Sequence, residues 1–174
     1  MSLRWGGSGL RSVAWSWMRL PVPVRAIAPI GVMAALWASS AVTPSPRPSS
    51  VVRDFLHNGA HIVAYGVLAG SFLLCGSVAT LARAPGAAGR HRSRWPLCSI
   101  GLAIGYGILD ELHQAQVPGR VCSYGDLLSD ASGAIFAVVA LLALLRADAR
   151  LARSLAWCLL ACAVSVSVAT WVPW

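Results

Sequence analysis

Three separate stretches of this chain carry side chains that can do chemistry, and each lies in otherwise apolar surroundings. Residues 57–65 read HNGAHIVAY, with His57, His61 and Tyr65 spaced i, i+4, i+8, so a helix presents all three on one face. Residues 110–126 read DELHQAQVPGRVCSYGD and pack Asp110, Glu111, His113, Gln114, Arg120, Ser123 and Asp126 into one short segment. Just beyond, Asp126, Asp130 and Gly133 fall at i, i+4, i+7, again one helical face. Ionisable groups beside lipid-buried segments are costly, so a dense cluster of them reads first as a functional site.

Four chemistries are open to these residue types. Polar side chains can tie helices together in lipid, at roughly 1–2 kcal/mol per contact or less; pairs such as His61 with Asp126, or Arg120 with Asp110, would suffice for that. His57 and His61 could hold a metal, with Glu111, Asp110 or His113 completing the shell, although no HExxH is present. A carboxylate beside His61 or His113 in low dielectric is the arrangement of a general acid or base, but no nucleophile accompanies it, since Ser123 sits in no recognisable elbow. Arg120, with Arg53, offers bidentate recognition of a phosphate or carboxylate, yet the neighbouring acids argue for Arg120 being held by Asp110 or Asp126. No resident cofactor or metal is expected on these motifs. Asp110 and Glu111 point about 100° apart on a helix. Only one can then face the centre squarely, and Asp110 is the expected one, with His113 or Gln114 a turn later.

The elements that must position these groups are membrane helices. The chain has 174 residues, 57% of them hydrophobic, and a mean hydropathy of +0.66. Charged residues make up 11%, against roughly 25% in an ordinary soluble domain. Five spans are expected: Val24–Val42, Phe55–Ala82, Trp95–Gln116, Tyr124–Leu145 and Ser154–Val172. Each is near the ~20 residues a helix needs to cross hydrocarbon. GxxxG pairs at Gly66/Gly70 and Gly101/Gly105 suggest that the second and third spans approach closely. The five cysteines are scattered and odd in number, fitting neither a disulfide framework nor a zinc ribbon.

The net charge of +8 comes from arginine alone among basic residues. These arginines sit between the apolar spans, which excludes nucleic acid as the intended partner and reads as topology instead. Arg4, Arg11, Arg19 and Arg25, then Arg83, Arg90, Arg92 and Arg94, then Arg146, Arg150 and Arg153 fall on one side; Arg47, Arg53 and Arg120 fall on the other. The positive-inside rule then expects a cytoplasmic N-terminus and an extracytoplasmic C-terminus. Residues 1–23 form a basic cytoplasmic segment in this reading, and 24–172 the transmembrane domain. Residues 1–42 follow the order of a signal peptide, but the basic region is long for one. The stretch Leu10–Leu20 is either a short helix on the membrane surface or a disordered tail. Asp54, Asp110, Glu111, Asp126 and Asp130 all gather at the outer ends of the spans. Trp95, Trp171 and Trp174 mark span ends, as an interfacial belt does. The Pro-rich loop Thr43–Ser50 is expected to be extended, and the Gly- and Arg-rich loop Ala84–Arg94 flexible.

This pattern resembles the VanZ-like family of small bacterial membrane proteins. That family carries H-x-x-x-Y, here His61 and Tyr65. Its second motif is D-E-x-H-Q-x-F-x-P-G-R-x-x-S-x-x-D-x-x-x-N-x-x-G, here Asp110, Glu111, His113, Gln114, Pro118, Gly119, Arg120, Ser123, Asp126 and Gly133. Gln116 stands in place of the aromatic, Asp130 in place of the Asn, and Asn58 in place of a charged residue before the first His. The resemblance covers roughly Asp54–Leu145 and implies an all-α, polytopic bundle of four such spans, to which Ser154–Val172 adds a fifth. It implies the bacterial cytoplasmic membrane and an envelope or glycopeptide (teicoplanin) response, without a defined reaction. The expected partners are membrane lipids and a lipid-linked or glycopeptide-like ligand at the outer polar cluster. An accessory subunit among other membrane subunits and a metal-dependent membrane enzyme are the two alternatives.

Overall fold

Local chemistry sets the helix boundaries. Pro-Gly at 118–119 makes the sharpest turn: Gly119 adopts φ +82°, and Arg120 N–H donates to Val117 O at 3.1 Å, as a type II turn with Gly at its third position requires. Ser123 follows as an N-cap, its Oγ accepting from Asp126 N–H at 3.2 Å, and Asp126 lies where the helix dipole favours an acid. In a computed structural model describing residues 8–44, 50–77, 81 and 93–171, these signals delimit six helices and no strand among the described residues. They are α1 (Ser8–Trp17), α2 (Val22–Ser40), α3 (Val51–Leu74), α4 (Trp95–Gln114), α5 (Tyr124–Arg146) and α6 (Ala149–Trp171). Of the two readings for the N-terminal stretch, the helix is the one that forms. Residues 45–49, most of 84–94 and Trp174 lie outside the described residues.

Helices α2, α5 and α6 are long and apolar enough to cross a membrane. Helices α3 and α4 have the length, at 24 and 20 residues, but each carries polar residues at one end: His57, Asn58 and His61 on α3, and Asp110 to Gln114 on α4. The side chains that make the candidate site are thus the ones that lower these helices' apolar character.

The core is built where α3, α4 and α5 meet. Tyr65, Leu68, Ala69 and Leu73 of α3 interlock with Ala103 and Tyr106 of α4 and with Ala134, Val138, Leu142 and Leu145 of α5. Helix α6 packs along α5 and α3, and Asn58 Nδ2 donates to Thr170 Oγ1 at 3.1 Å to tie its far end to α3.

The close helix approach differs from the one expected. A Cβ at Gly133 would sit 2.1 Å from the Ile62 carbonyl oxygen, and one at Gly66 would sit 3.2 Å from the Gly133 carbonyl oxygen. The tight contact is therefore α3 on α5. Gly101 and Gly105 have nothing within 4 Å of an added Cβ, so that pair makes no helix contact. The motif's spacing says that a backbone can approach, and not which neighbour will use it.

At the end of the bundle away from the polar cluster, the last carbonyls of α3 need partners, as helix C-termini do. Trp95 Nε1 donates to Leu73 O at 3.1 Å. Arg25 Nη1 donates to Leu74 O at 3.1 Å and also to Gly76 O, placing a buried cation where the helix dipole is negative. Trp95, expected as a span-end marker, ties α4 to the end of α3. Pro29 lacks an N–H and frees the Arg25 carbonyl within α2; the Cys75 thiol donates to it at 3.4 Å.

Gly133→Ala should destabilise the bundle by about 1–3 kcal/mol or more through overpacking, read as a lower thermal midpoint in detergent. Gly101→Ala, with open space around it, should be neutral or slightly stabilising. Equal effects of the two would contradict the crossing described.

Candidate functional site

The α3–α5 crossing sets two His–carboxylate pairs one turn apart. His61 Nδ1 donates to Asp130 Oδ1 at 2.9 Å, and His57 Nε2 lies 3.7 Å from Asp126 Oδ2. The registry is thus His57 with Asp126 and His61 with Asp130, and not His61 with Asp126. The helical repeat of four on each face keeps the two ladders in step. His57 and His61 also meet edge to face at 4.8 Å, and the His61 and Tyr65 rings stack at 6.1 Å.

Helix α4 supplies the third wall. Tyr65 Oη donates to Asp110 Oδ2 at 3.4 Å. Gln114 Nε2 donates to Asp110 Oδ2 at 3.0 Å and to Glu111 Oε1 at 3.3 Å. Glu111 Oε2 accepts from the Ser123 backbone N–H at 2.7 Å. Both acids of the pair are buried, Asp110 to 3% exposure and Glu111 to 1%. The 100° between them is resolved by two different partners, Asp110 turning to α3 and Glu111 to the start of α5. The expectation that only Asp110 would face inward is corrected.

Gln114 lies on the Asp110 face as expected, but His113 does not. Its ring stacks on Trp37 of α2 at 3.9 Å between centroids, on the side of α4 turned to α2. Arg120 also departs from expectation. Its Nη1 donates to Gln114 Oε1 at 3.2 Å, its Nη2 to Ser39 O at 2.8 Å and its Nε to Val42 O at 3.2 Å. It caps the C-terminal end of α2 and is held by no carboxylate of the cluster.

These groups surround a cavity of about 290 Å³. Eight polar side chains line it: Ser39, Ser40, His57, His61, Tyr65, Asp110, Gln114 and Arg120. Glu111, Ser123, Asp126 and Asp130 stand behind that lining and orient it. The α2 wall, made by Leu36, Ser39 and Ser40, was not anticipated; two adjacent serines ending an apolar span are the signal that could have pointed to it. Gly107 was missed as well. A Cβ there would lie 2.9 Å from Asp130 Oδ2 and 3.2 Å from Tyr65 Cε1, so its bare backbone admits both side chains.

Acceptors are in surplus around the cavity. Asp110 Oδ1 in the lining and Asp130 Oδ2 behind it are buried without a hydrogen-bond partner. Each nitrogen of the one lining arginine already donates, to Val42 O, Gln114 Oε1 and Ser39 O. The site is suited to receive hydrogen-bond donors or a cation, and unsuited to trap an anion.

The family model described as VanZ/LLP1 matches residues 8–146, which is most of the chain and runs from α1 to the end of α5. No curated protein and no solved structure matches the chain. The match ends where α6 begins.

Replacing Glu111 by Leu leaves the Ser123 N–H without its acceptor and should cost about 1–3 kcal/mol, seen as a fall in the thermal midpoint of the purified protein. Glu111→Gln keeps an acceptor oxygen and should lose less. Indistinguishable midpoints for the two variants would show that Glu111 does not hold the start of α5.

Proposed function

The chain belongs to the VanZ-like family, and we propose that it is an envelope protein of the bacterial cytoplasmic membrane whose cavity receives the polar head of a lipid-linked molecule. In this reading α2 to α6 are five spans, α3 and α4 crossing with their polar ends at the outer interface. The arginine distribution supports a cytoplasmic N-terminus and an extracytoplasmic cavity. One observation carries the ligand reading: eight polar side chains from three helices and the α4–α5 loop converge on a cavity of about 290 Å³. That volume lies at the lower end of the roughly 300–1,000 Å³ of small-molecule sites. It suits a headgroup, and a bulky glycopeptide would enter with only one of its groups.

The acceptor-rich lining favours a head that donates hydrogen bonds, such as a sugar or an amine. Leu36, Ala60 and Ala64 beside the polar groups give the attached hydrocarbon an apolar neighbour. The accessory-subunit reading, in which the cluster is only glue, accounts for the Glu111–Gln114–Ser123 bonds. It gives no reason for a polar cavity, nor for an Asp110 oxygen left without a partner.

In a strain lacking the gene, Asp110→Asn should fail to restore the envelope or glycopeptide response that the unaltered chain restores, at equal protein abundance. Full restoration by Asp110→Asn would sink the ligand reading. Cys122, exposed in the α4–α5 loop, tests the sidedness. In a variant retaining that cysteine alone, a membrane-impermeant maleimide should label it on intact cells. Slight desolvation at the loop surface, then the Glu111 carboxylate, pushes this exposed thiol above its ordinary range. Fewer thiolates are present at neutral pH, so labelling should be slow there and quicken as pH rises. Absence of labelling even at alkaline pH, with labelling after the membrane is opened, would invert the topology.

A further inference from the structure

The polar cluster buries more carboxyl groups than its hydrogen bonds explain. Asp110, Glu111, Asp126 and Asp130 are all buried, within one network. Removing one carboxylate from water without a counter-charge is costly, and four together are more so. Arg120, the one arginine lining the cavity, directs its donors to Gln114 and to two backbone carbonyls. The remaining groups that face these acids are His57 and His61, which are also metal ligands when neutral.

We propose that His57, His61 and Asp126 bind one divalent transition-metal ion, with Zn²⁺ the natural fit. One ligand atom from each residue lies within 4.8 Å of the others. Ligand atoms around tetrahedral zinc are about 3.3–3.5 Å apart, given bonds of about 2.0–2.2 Å. A shift of about 1 Å or less by each side chain closes the shell, and the half-exposed His57 is free to make it. The sequence suggested a third ligand from α4; the helix packing supplies it from α5 instead.

A second arrangement points the same way. His61 Nδ1 is taken by Asp130 Oδ1 at 2.9 Å, and Asp130 is 1% exposed. A carboxylate that fixes one ring nitrogen leaves Nε2 as the ligand and makes it more basic, as the partners of metal-bound histidines do. Asp130 is thus a positioning residue, and the departure from the family's Asn at this place strengthens that role by adding charge. Both histidines line the cavity, so three protein ligands leave the remaining coordination position open toward it, as in sites where metal meets a ligand. Two imidazoles select borderline transition ions over Mg²⁺ and Ca²⁺.

The inference rests on the His–carboxylate geometry and not on the headgroup reading, and its test reads metal alone. The full chain, purified in mild detergent and stripped with chelator, is titrated with Zn²⁺ and separately with Co²⁺, in excess Mg²⁺. The expected result is one ion per chain, and a Co²⁺ spectrum of tetrahedral or five-coordinate type without thiolate charge-transfer bands. His57→Ala and Asp126→Asn should each weaken Zn²⁺ binding at least 10-fold, and Asp130→Asn by about 10–100-fold. His113→Ala, which removes an imidazole outside the cavity lining, should leave the affinity unchanged. Absence of saturable binding overturns the proposal, as do thiolate bands or wild-type affinity in His57→Ala. If Asp126→Asn does not fold, the rim variant His57→Ala decides alone.

Discussion

The backbone contact between Gly133 and the Ile62 carbonyl is the constraint on which the rest depends. A side chain at 133 would occupy the place of that carbonyl, so α5 can lie against α3 only because it has none there. Side-chain spacing of four on both helices then turns one contact into two registered His–Asp pairs. Move the crossing by one residue and both pairs dissolve together. Burial of Tyr65 and Asp130 follows from the same approach, since Gly107 lets α4 close over them. The cavity is what remains between this tight three-helix junction and the more loosely applied α2.

Much of the site was legible because helical periodicity is a strong signal. The faces carrying His57, His61 and Tyr65, and Asp126, Asp130 and Gly133, came directly from spacing, and the structure brings them together. Pairing between helices was not legible: His61 meets Asp130 and not Asp126 because the axial offset of α3 and α5 is a packing result. Arg120 was misassigned for a related reason. Charge complementarity pointed it to carboxylates, whereas the carbonyls of Ser39 and Val42 at the end of α2 lay within its reach, Ser39 O otherwise receiving a long 3.4 Å bond from Val42 N–H. Likewise the glycine pairs declared a capacity for close approach, and only the core's shape decided that Gly66 would use it and Gly101 would not.

The fold shows the same division. Helical content and length could be read from hydropathy, and the observed boundaries of α2, α4 and α5 lie within two residues of those expected. Helix α3 starts at Val51 and not Phe55, since Val51 and Val52 continue the helix behind Ser50. It stops at Leu74, where Arg25 and Trp95 take its carbonyls. No local pattern reveals an end that is set by side chains twenty to fifty residues away.

Arg120 ties the end of α2 to α4 beside the Trp37–His113 stack. Its three nitrogens reach the tail of α2 and the amide of Gln114 at once, so the loop between α4 and α5 acts as a strut against the α2 wall. Helix α2 is the least embedded of the three candidate spans, and packing alone holds it weakly. The guanidinium shares the hold on α2 with the Trp37–His113 stack and the Tyr106 Oη bond to Met33 O, and of these it is the one that lines the cavity. Any ligand wide enough to press α2 outward would load the bonds from Arg120 to Ser39 O and Val42 O, so ligand size is felt first at that cation.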